Sequence, residues 1–260
     1  MRIKKIFLLG AALLAMASFG LAGCGNQSAE NTGADGKPLK VGTNADFAPF
    51  EFQGPNGSYD GFDMDLIRAV AKEMGTTADI QNIAFDGLIP ALAAHNIDVA
   101  ISGMSINDER KKNVLFSEPY YKSGLTIVVR KNETNIKNFK DLAGKTVAVQ
   151  IGTTSAAEVE KDPQIHVKEL QSSADTFLEL KNGGVDAVVN DKPVNAYYLK
   201  LSGDTDVRIL DDTLTSEEYG IAMAKDDTAL QKKVNDALDA LKKNGEYDKI
   251  YEKWFGAQKD

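Results

Sequence analysis

Three positions combine a charged or hydroxyl side chain with a place in the chain that would present it to a ligand. Arg110 follows Asn107-Asp108-Glu109, a helix-start signature, so its guanidinium would project near free backbone N–H groups that also favour an anion. A planar fork of donors suits a carboxylate. The run Arg110-Lys111-Lys112 leaves a second reading open, an arginine on a solvated basic face. Asp191 follows an apolar strand candidate, Val185 to Val189, and could offer a fixed anion to a cation. Two residues before Pro193, it could equally be a capping aspartate. Thr154, in Gly152-Thr153-Thr154 after a strand candidate ending at Gln150, stands at an expected helix start, where its hydroxyl and N–H could meet an anion.

The elements that would position these residues alternate. A strand start at Leu39 to Thr43 is followed by apolar residues at helical spacing from Phe62 to Met74, ending at Gly75. Strand candidates then fall at 78–83, 97–101 and 125–130, with a helix at 87–95. The second half repeats the plan, with strands at 146–150, 166–170 and 185–189 and helices at 154–161 and 174–182. The stretch Leu92 to Gly103 parallels Leu180 to Asp191: a helix end, a tight turn, an aspartate, an apolar strand and small polar residues. Two α/β lobes would follow, each offering loops at the carboxyl ends of strands, where open α/β sheets bind ligands. Residues 229–255 are helical in period with a break at Asn244-Gly245. Tyr247, Tyr251, Trp254 and Phe255 fall on one face, expected to pack against a lobe.

The amino terminus reads as an export signal: Met1-Arg2-Ile3-Lys4-Lys5, then 17 uncharged residues from Ile6 to Ala22, then Gly23-Cys24. Leu21-Ala22-Gly23-Cys24 resembles the bacterial lipobox, which implies cleavage before Cys24 and lipidation of that residue. Cys24 is the only cysteine, so no internal disulfide is available. Residues 1–23 are assigned to the signal and 24–37 to the lipidated cysteine and a polar, flexible tether. Loss of the signal leaves 27 basic against 38 acidic residues, a net charge of −11 that disfavours nucleic acid as a partner.

Several segments resemble one family, the polar amino-acid-binding members of the bacterial extracellular solute-binding proteins, family 3, which serve ABC importers. The carriers are Gly42 to Phe52 (GTNADFAPFEF), Gly61 to Leu66 (GFDMDL), Phe85 to Leu92 (FDGLIPAL), Ser102 to Arg110 (SGMSINDER), Phe116 to Tyr121 (FSEPYY) and Tyr247 to Gly256 (YDKIYEKWFG). The resemblance spans Leu39 to Gly256 in the family's order. It implies a two-lobe, type II periplasmic-binding-protein fold of the α/β class. Lobe 1 would hold 38–121 and 220–260 and lobe 2 would hold 122–219, with hinge crossings near Tyr120 to Gly124 and Thr215 to Tyr219 and a ligand cleft between.

A free amino acid carries a carboxylate and an ammonium, so its receptor needs a bidentate cation, a fixed anion and an apolar wall. By resemblance, Arg110 clamps the carboxylate, with hydrogen bonds from Ser102, Gly103 and Ser105; Asp191 takes the ammonium; Thr154 reaches the carboxylate from the second lobe; and Phe47 and Phe85 sandwich the ligand stem. Asn44 and Gln150 would set side-chain selectivity. Many relatives with basic ligands have aspartate where Asn44 stands, which favours a neutral ligand such as glutamine, with arginine, lysine or histidine as the alternative. The implied partners are a free amino acid, an importer permease and the membrane, reached through the lipid of a monomeric protein. An enzyme of the dehydratase type on the same scaffold would need a proton-transfer group in the cleft, yet His95 and His166 lie outside the ligand segments. Neither a cofactor nor a metal site is expected.

Overall fold

A computed structural model of the protein describes residues 37–203 and 206–256. The signal segment, Cys24 and all of the tether except Lys37 lie outside the described residues.

Two five-stranded sheets organise the chain. In the first, Ala78–Asn82, Leu39–Thr43, Val99–Ala100, Ala222–Ala224 and Val114–Phe116 lie side by side in that order. The second runs His166–Leu170, Thr146–Gln150, Ala187–Asp191, Leu125–Arg130 and Val207–Ile209. Leu39–Thr43 is parallel to both its neighbours, and so is Thr146–Gln150. The fourth strand of each sheet is antiparallel to the third, and it is the strand that follows a crossing from the other lobe. Ala222–Ala224 follows Glu217–Tyr219, and Leu125–Arg130 follows Tyr121–Ser123. Those two connecting strands pair with each other, Tyr121 opposite Tyr219. The α/β lobes are therefore joined by a two-stranded ribbon.

Helix Phe62–Glu73 forms where the sequence shows a 3.6-residue apolar period, burying Phe62, Met64, Leu66, Ile67, Val70 and Ala71. The C-terminal helices Thr228–Lys243 and Glu246–Phe255 are separated at Asn244-Gly245, with Gly245 left-handed at φ 77°. Rings of the last helix pack on the first lobe and the ribbon: Phe255 lies 5.3 Å from Phe62 and 4.9 Å from Tyr121. The Trp254 indole donates to Asp65 at 2.8 Å.

The internal repeat has a structural counterpart. His95 (φ 54°) and Gly183 (φ 76°) occupy matching turns with left-handed backbone. Past each turn an aspartate grips the adjacent parallel strand. Asp98 accepts the Lys40 N–H at 2.8 Å and donates its own N–H to the Lys40 carbonyl at 2.9 Å. Asp186 does the same with Thr146, at 2.9 and 2.8 Å. A methyl at Gly183 would meet no atom within 4 Å, so only the backbone would resist it. Gly183→Ala is accordingly expected to cost about 1 kcal/mol and lower the melting midpoint by roughly 2–4 °C. Thermal unfolding of the variant checks this.

The strand expected at 185–189 is Ala187–Asp191, because the ladder with Leu125–Arg130 extends through Asn190 opposite Thr126 and Asp191 opposite Leu125. Cross-strand pairing outweighs the polarity of those two residues. The helix Lys192–Ser202 follows directly with Pro193 in its first turn. The Asp191 side chain makes no cap bond to that helix, so the capping reading fails.

Candidate ligand-binding site

All ten residues singled out in the sequence, Asn44, Phe47, Phe85, Ser102, Gly103, Ser105, Arg110, Gln150, Thr154 and Asp191, line one cavity, joined by Glu51 and Thr153. The cavity left between them is small, about 10 Å³, room for roughly one water molecule as the side chains stand. Strand ends build it. Asn44 follows Leu39–Thr43, Ser102 follows Val99–Ala100, Gln150 closes Thr146–Gln150 and Asp191 closes Ala187–Asp191. The parallel strands of both lobes thus aim their carboxyl ends at a common space.

Arg110 sits in the short helix Asp108–Lys111, whose first turn is capped by Asn107 Oδ1 accepting the Arg110 N–H at 2.8 Å. Its side chain is buried and its fork is anchored on both lobes: Nη1 donates to the Ser105 carbonyl at 2.7 Å and Nη2 to the Gly152 carbonyl at 3.1 Å. The guanidinium carbon lies 5.3 Å from the centre of the Phe85 ring. Burial pulls the guanidinium below its usual pKa, while Glu217 and Asp191 hold it up. A solvated surface arginine is excluded. Thr153 caps the helix Thr154–Val159 through its hydroxyl, leaving Thr154 at the first turn as expected.

Asp191 is buried beneath two donors. Its Oδ1 accepts the Tyr219 hydroxyl at 2.5 Å and the Ser123 hydroxyl at 2.8 Å. Burial pushes its carboxyl up to about 7, with the neighbouring Glu217 charge adding to the rise. A cation placed against Asp191 would reverse that shift.

The hydroxyls and one amide of the first lobe are already engaged within the protein. Ser102 Oγ donates to Glu51 at 2.8 Å, and the Gly103 N–H donates to Asp63 at 2.8 Å. Ser105 Oγ donates to Glu217, as does Thr154 Oγ1 at 2.8 Å. This corrects the expectation for Gly103, whose amide proton faces Asp63. Its contribution to the cavity is space: φ is 51°, and a Cβ there would stand 2.8 Å from the Phe47 ring. Phe47 is almost wholly buried and stacked on Phe50, with ring centres 6.1 Å apart, so it belongs to the core and to the cavity wall together.

Asn44 and Gln150 meet across the cleft, with Gln150 Nε2 donating to Asn44 Oδ1 at 2.7 Å and to the Gln171 carbonyl at 3.0 Å. Beside them lies a pair the sequence reading did not select. Glu51 and Asp63 are both fully buried in lobe 1. Burial and the Asp63 charge push Glu51 well above the usual carboxylate range, and burial lifts Asp63 to about 6. Asp63 is held by the Tyr120 hydroxyl at 2.8 Å and by Gly103. A glutamate between two phenylalanines, in Phe50-Glu51-Phe52, was the available signal that this carboxyl is buried.

A buried arginine and a buried aspartate thus share one cleft between the lobes. Residues 39–257 match the bacterial extracellular solute-binding proteins, family 3. The chain belongs to that family. The ABC transporter arginine-binding protein 1 of Escherichia coli (strain K12) is 35% identical over 257 residues, covering 97% of this chain and 99% of its relative. A solved ancestral arginine-binding protein bound to arginine is 48% identical, with a TM-score of 0.82 over 84% of this chain and 98% of its own. An ancestral arginine-binding protein bound to glutamine is also 48% identical, with a TM-score of 0.81 over 84% and 98%. This family 3 protein therefore has the type II periplasmic-binding-protein fold, and it is an exported amino-acid-binding protein of the kind that works with an ABC transporter.

Proposed function

We propose that this protein captures a free basic L-amino acid, arginine foremost, between its lobes and delivers it to an importer permease. The observation that carries the choice of ligand is the charge balance of the cavity. Among the described residues that line it, Arg110 is the only cation, whereas Asp191 and Glu51 are acids and Glu217 is bonded to two wall residues. A zwitterion would engage Arg110 with its carboxylate and Asp191 with its ammonium. A further positive charge on the ligand would then face the buried Glu51 carboxyl, which a cation would draw towards ionisation, the amide oxygens of Asn44 and Gln150, and the faces of Phe47 and Phe85. This replaces the initial preference for glutamine, which relied on Asn44 alone; the names of the relatives favour the same replacement. Glutamine is retained as a weaker ligand, since the Asn44 and Gln150 amides can serve a neutral polar group too.

The ligand would favour the closed arrangement because contacts to both lobes exist only there, and a ligand shifts conformers only by such differential affinity. We assign no chemical turnover to the cleft. Lipidation at Cys24 would keep a monomeric receptor at the membrane surface while the tether gives it reach.

Isothermal calorimetry on the full protein tests the ligand. Arginine should bind more tightly than glutamine; the reverse order would overturn the basic-ligand reading. Asn44→Asp would place an ionised acceptor at the selectivity position and should raise the ratio of arginine to glutamine affinity about tenfold, the worth of one charge-assisted bond. An unchanged ratio would remove Asn44 from selectivity.

A further inference from the structure

Asp191 ends a strand of the second sheet, and the side chains that hold its carboxylate come from the ribbon beside it. Ser123 closes the strand Tyr121–Ser123, two residues before Leu125, the ladder partner of Asp191. Tyr219 closes the opposed strand Glu217–Tyr219. Both hydroxyls donate to one oxygen, Asp191 Oδ1, Tyr219 at 2.5 Å and Ser123 at 2.8 Å. The hydroxyl oxygens stand 3.0 Å apart, and each has a single proton, which goes to the stronger, charged acceptor. Burial and the Asp191 charge hold the Tyr219 hydroxyl well above its usual pKa, so it stays a donor throughout the neutral range.

Neither hydroxyl reaches Oδ2, and neither Tyr219 nor Ser123 lines the cavity that Asp191 lines. The Tyr219 ring is fully buried, 5.1 Å from Phe50 and 5.7 Å from Tyr121 between ring centres. A donor on so fixed a ring sets the direction of the carboxylate, because turning the group would break both bonds to Oδ1. One oxygen is thereby committed to the protein and the other is left for a ligand.

We propose that Tyr219 is the positioning residue of the ammonium subsite: with Ser123 it fixes Asp191 by one oxygen and leaves the other to the ligand ammonium. Affinity then depends on a hydroxyl that the ligand never touches. The part played by the ammonium rests on the reading of the cavity as an amino-acid site; the hold on Asp191 does not. The hydroxyls also favour the ionised carboxylate, so they set how far the pH can fall before capture weakens. The other groups that act on Asp191 are Glu217 of the crossing segment, Arg110 of the first lobe and Tyr121 of the ribbon.

Tyr219→Phe tests this, since it keeps the ring among its aromatic neighbours, leaves those three groups in place and removes only the hydroxyl. Calorimetry on the full protein at pH 7 should show arginine bound roughly fivefold to twentyfold more weakly. The acid limb of the arginine affinity profile should move up by about one pH unit, the worth of one lost charge-assisted bond. Ser123→Ala should move it in the same direction. A purely structural role would lower affinity without moving the limb. Equal arginine affinity or an unmoved limb in Tyr219→Phe would each overturn the proposal. If neither protein bound any amino acid, the amino-acid reading would fall, and carboxyl NMR of the ligand-free proteins would still decide the hold on Asp191. Titration of Asp191 at higher pH in Tyr219→Phe supports that hold, and titration at the same pH overturns it.

Discussion

Replacing Arg110 with alanine should reduce amino-acid affinity by at least about thirtyfold while moving the melting midpoint of the ligand-free protein little. The affinity loss follows from removing the buried partner of a carboxylate, a change that costs about 2–5 kcal/mol where the other charge is left unpaired. Stability should change little because the two bonds lost, to the carbonyls of Ser105 and Gly152, go to a segment at the cleft and a loop of the opposite lobe, not to either core. Arg110→Lys should fall between: it keeps the charge and loses the fork that spans both carbonyls. Calorimetry and thermal unfolding on the same preparations check both halves. Retained tight binding in the alanine variant would remove Arg110 from the site.

The second large effect belongs to Asp191. If its carboxylate pairs with the ligand ammonium, Asp191→Asn should weaken binding by about 2 kcal/mol, roughly thirtyfold. The pH dependence has a definite sign. In the ligand-free protein burial holds this carboxyl at about 7, whereas a bound ammonium stabilises the ionised form. Binding therefore releases a proton near and below pH 7, and affinity should fall by up to about tenfold per unit as the pH drops through that region. Above it affinity should level off. The asparagine variant should lose this dependence. For folding the sign is the opposite. A group whose folded pKa is raised supports the fold fully below its unfolded value of about 4, loses that support as the pH climbs to about 7, and changes no further above it. The ligand-free asparagine variant should therefore be at least as stable as the parent at pH 8. A pH-independent affinity in the parent would exclude Asp191 as the ammonium partner.

Much of the fold was legible because apolar period and turn residues agreed locally. The helix Phe62–Glu73 and the strands Leu39–Thr43, Thr146–Gln150 and His166–Leu170 stand within a residue of where the pattern puts them. The repeat was legible through its aspartates and turns, since Asp98 and Asp186 perform the same task on neighbouring strands. The end of Ala187–Asp191 was not. Asn190 and Asp191 read as loop residues in isolation, and only the antiparallel partner Leu125–Arg130 keeps them in the ladder. Long-range pairing of that kind leaves little trace in a local pattern.

The candidate site divides along the same line. Arg110, Thr154 and Asp191 could be proposed because each stands where a strand ends or a helix begins. The state of their protons could not be anticipated, because it depends on partners far away in sequence. Glu217 lies 112 residues from Ser105 and 63 from Thr154, yet it takes both hydroxyls. Asp63 takes the Gly103 amide from 40 residues away, turning a presumed ligand contact into a structural one. Asn44 was judged by its neutral side chain alone, while the acids that decide the cavity's charge come from separate segments.

The most direct test of the central claim, that this cleft holds a free amino acid, is a thermal-shift screen. The protein would be stripped of bound ligand by unfolding and refolding, then screened against the twenty amino acids and cystine. A ligand that binds only the native state must raise the midpoint by mass action. Arginine should give the largest rise, with smaller rises for lysine, histidine and glutamine. A midpoint that no amino acid moves would contradict the claim.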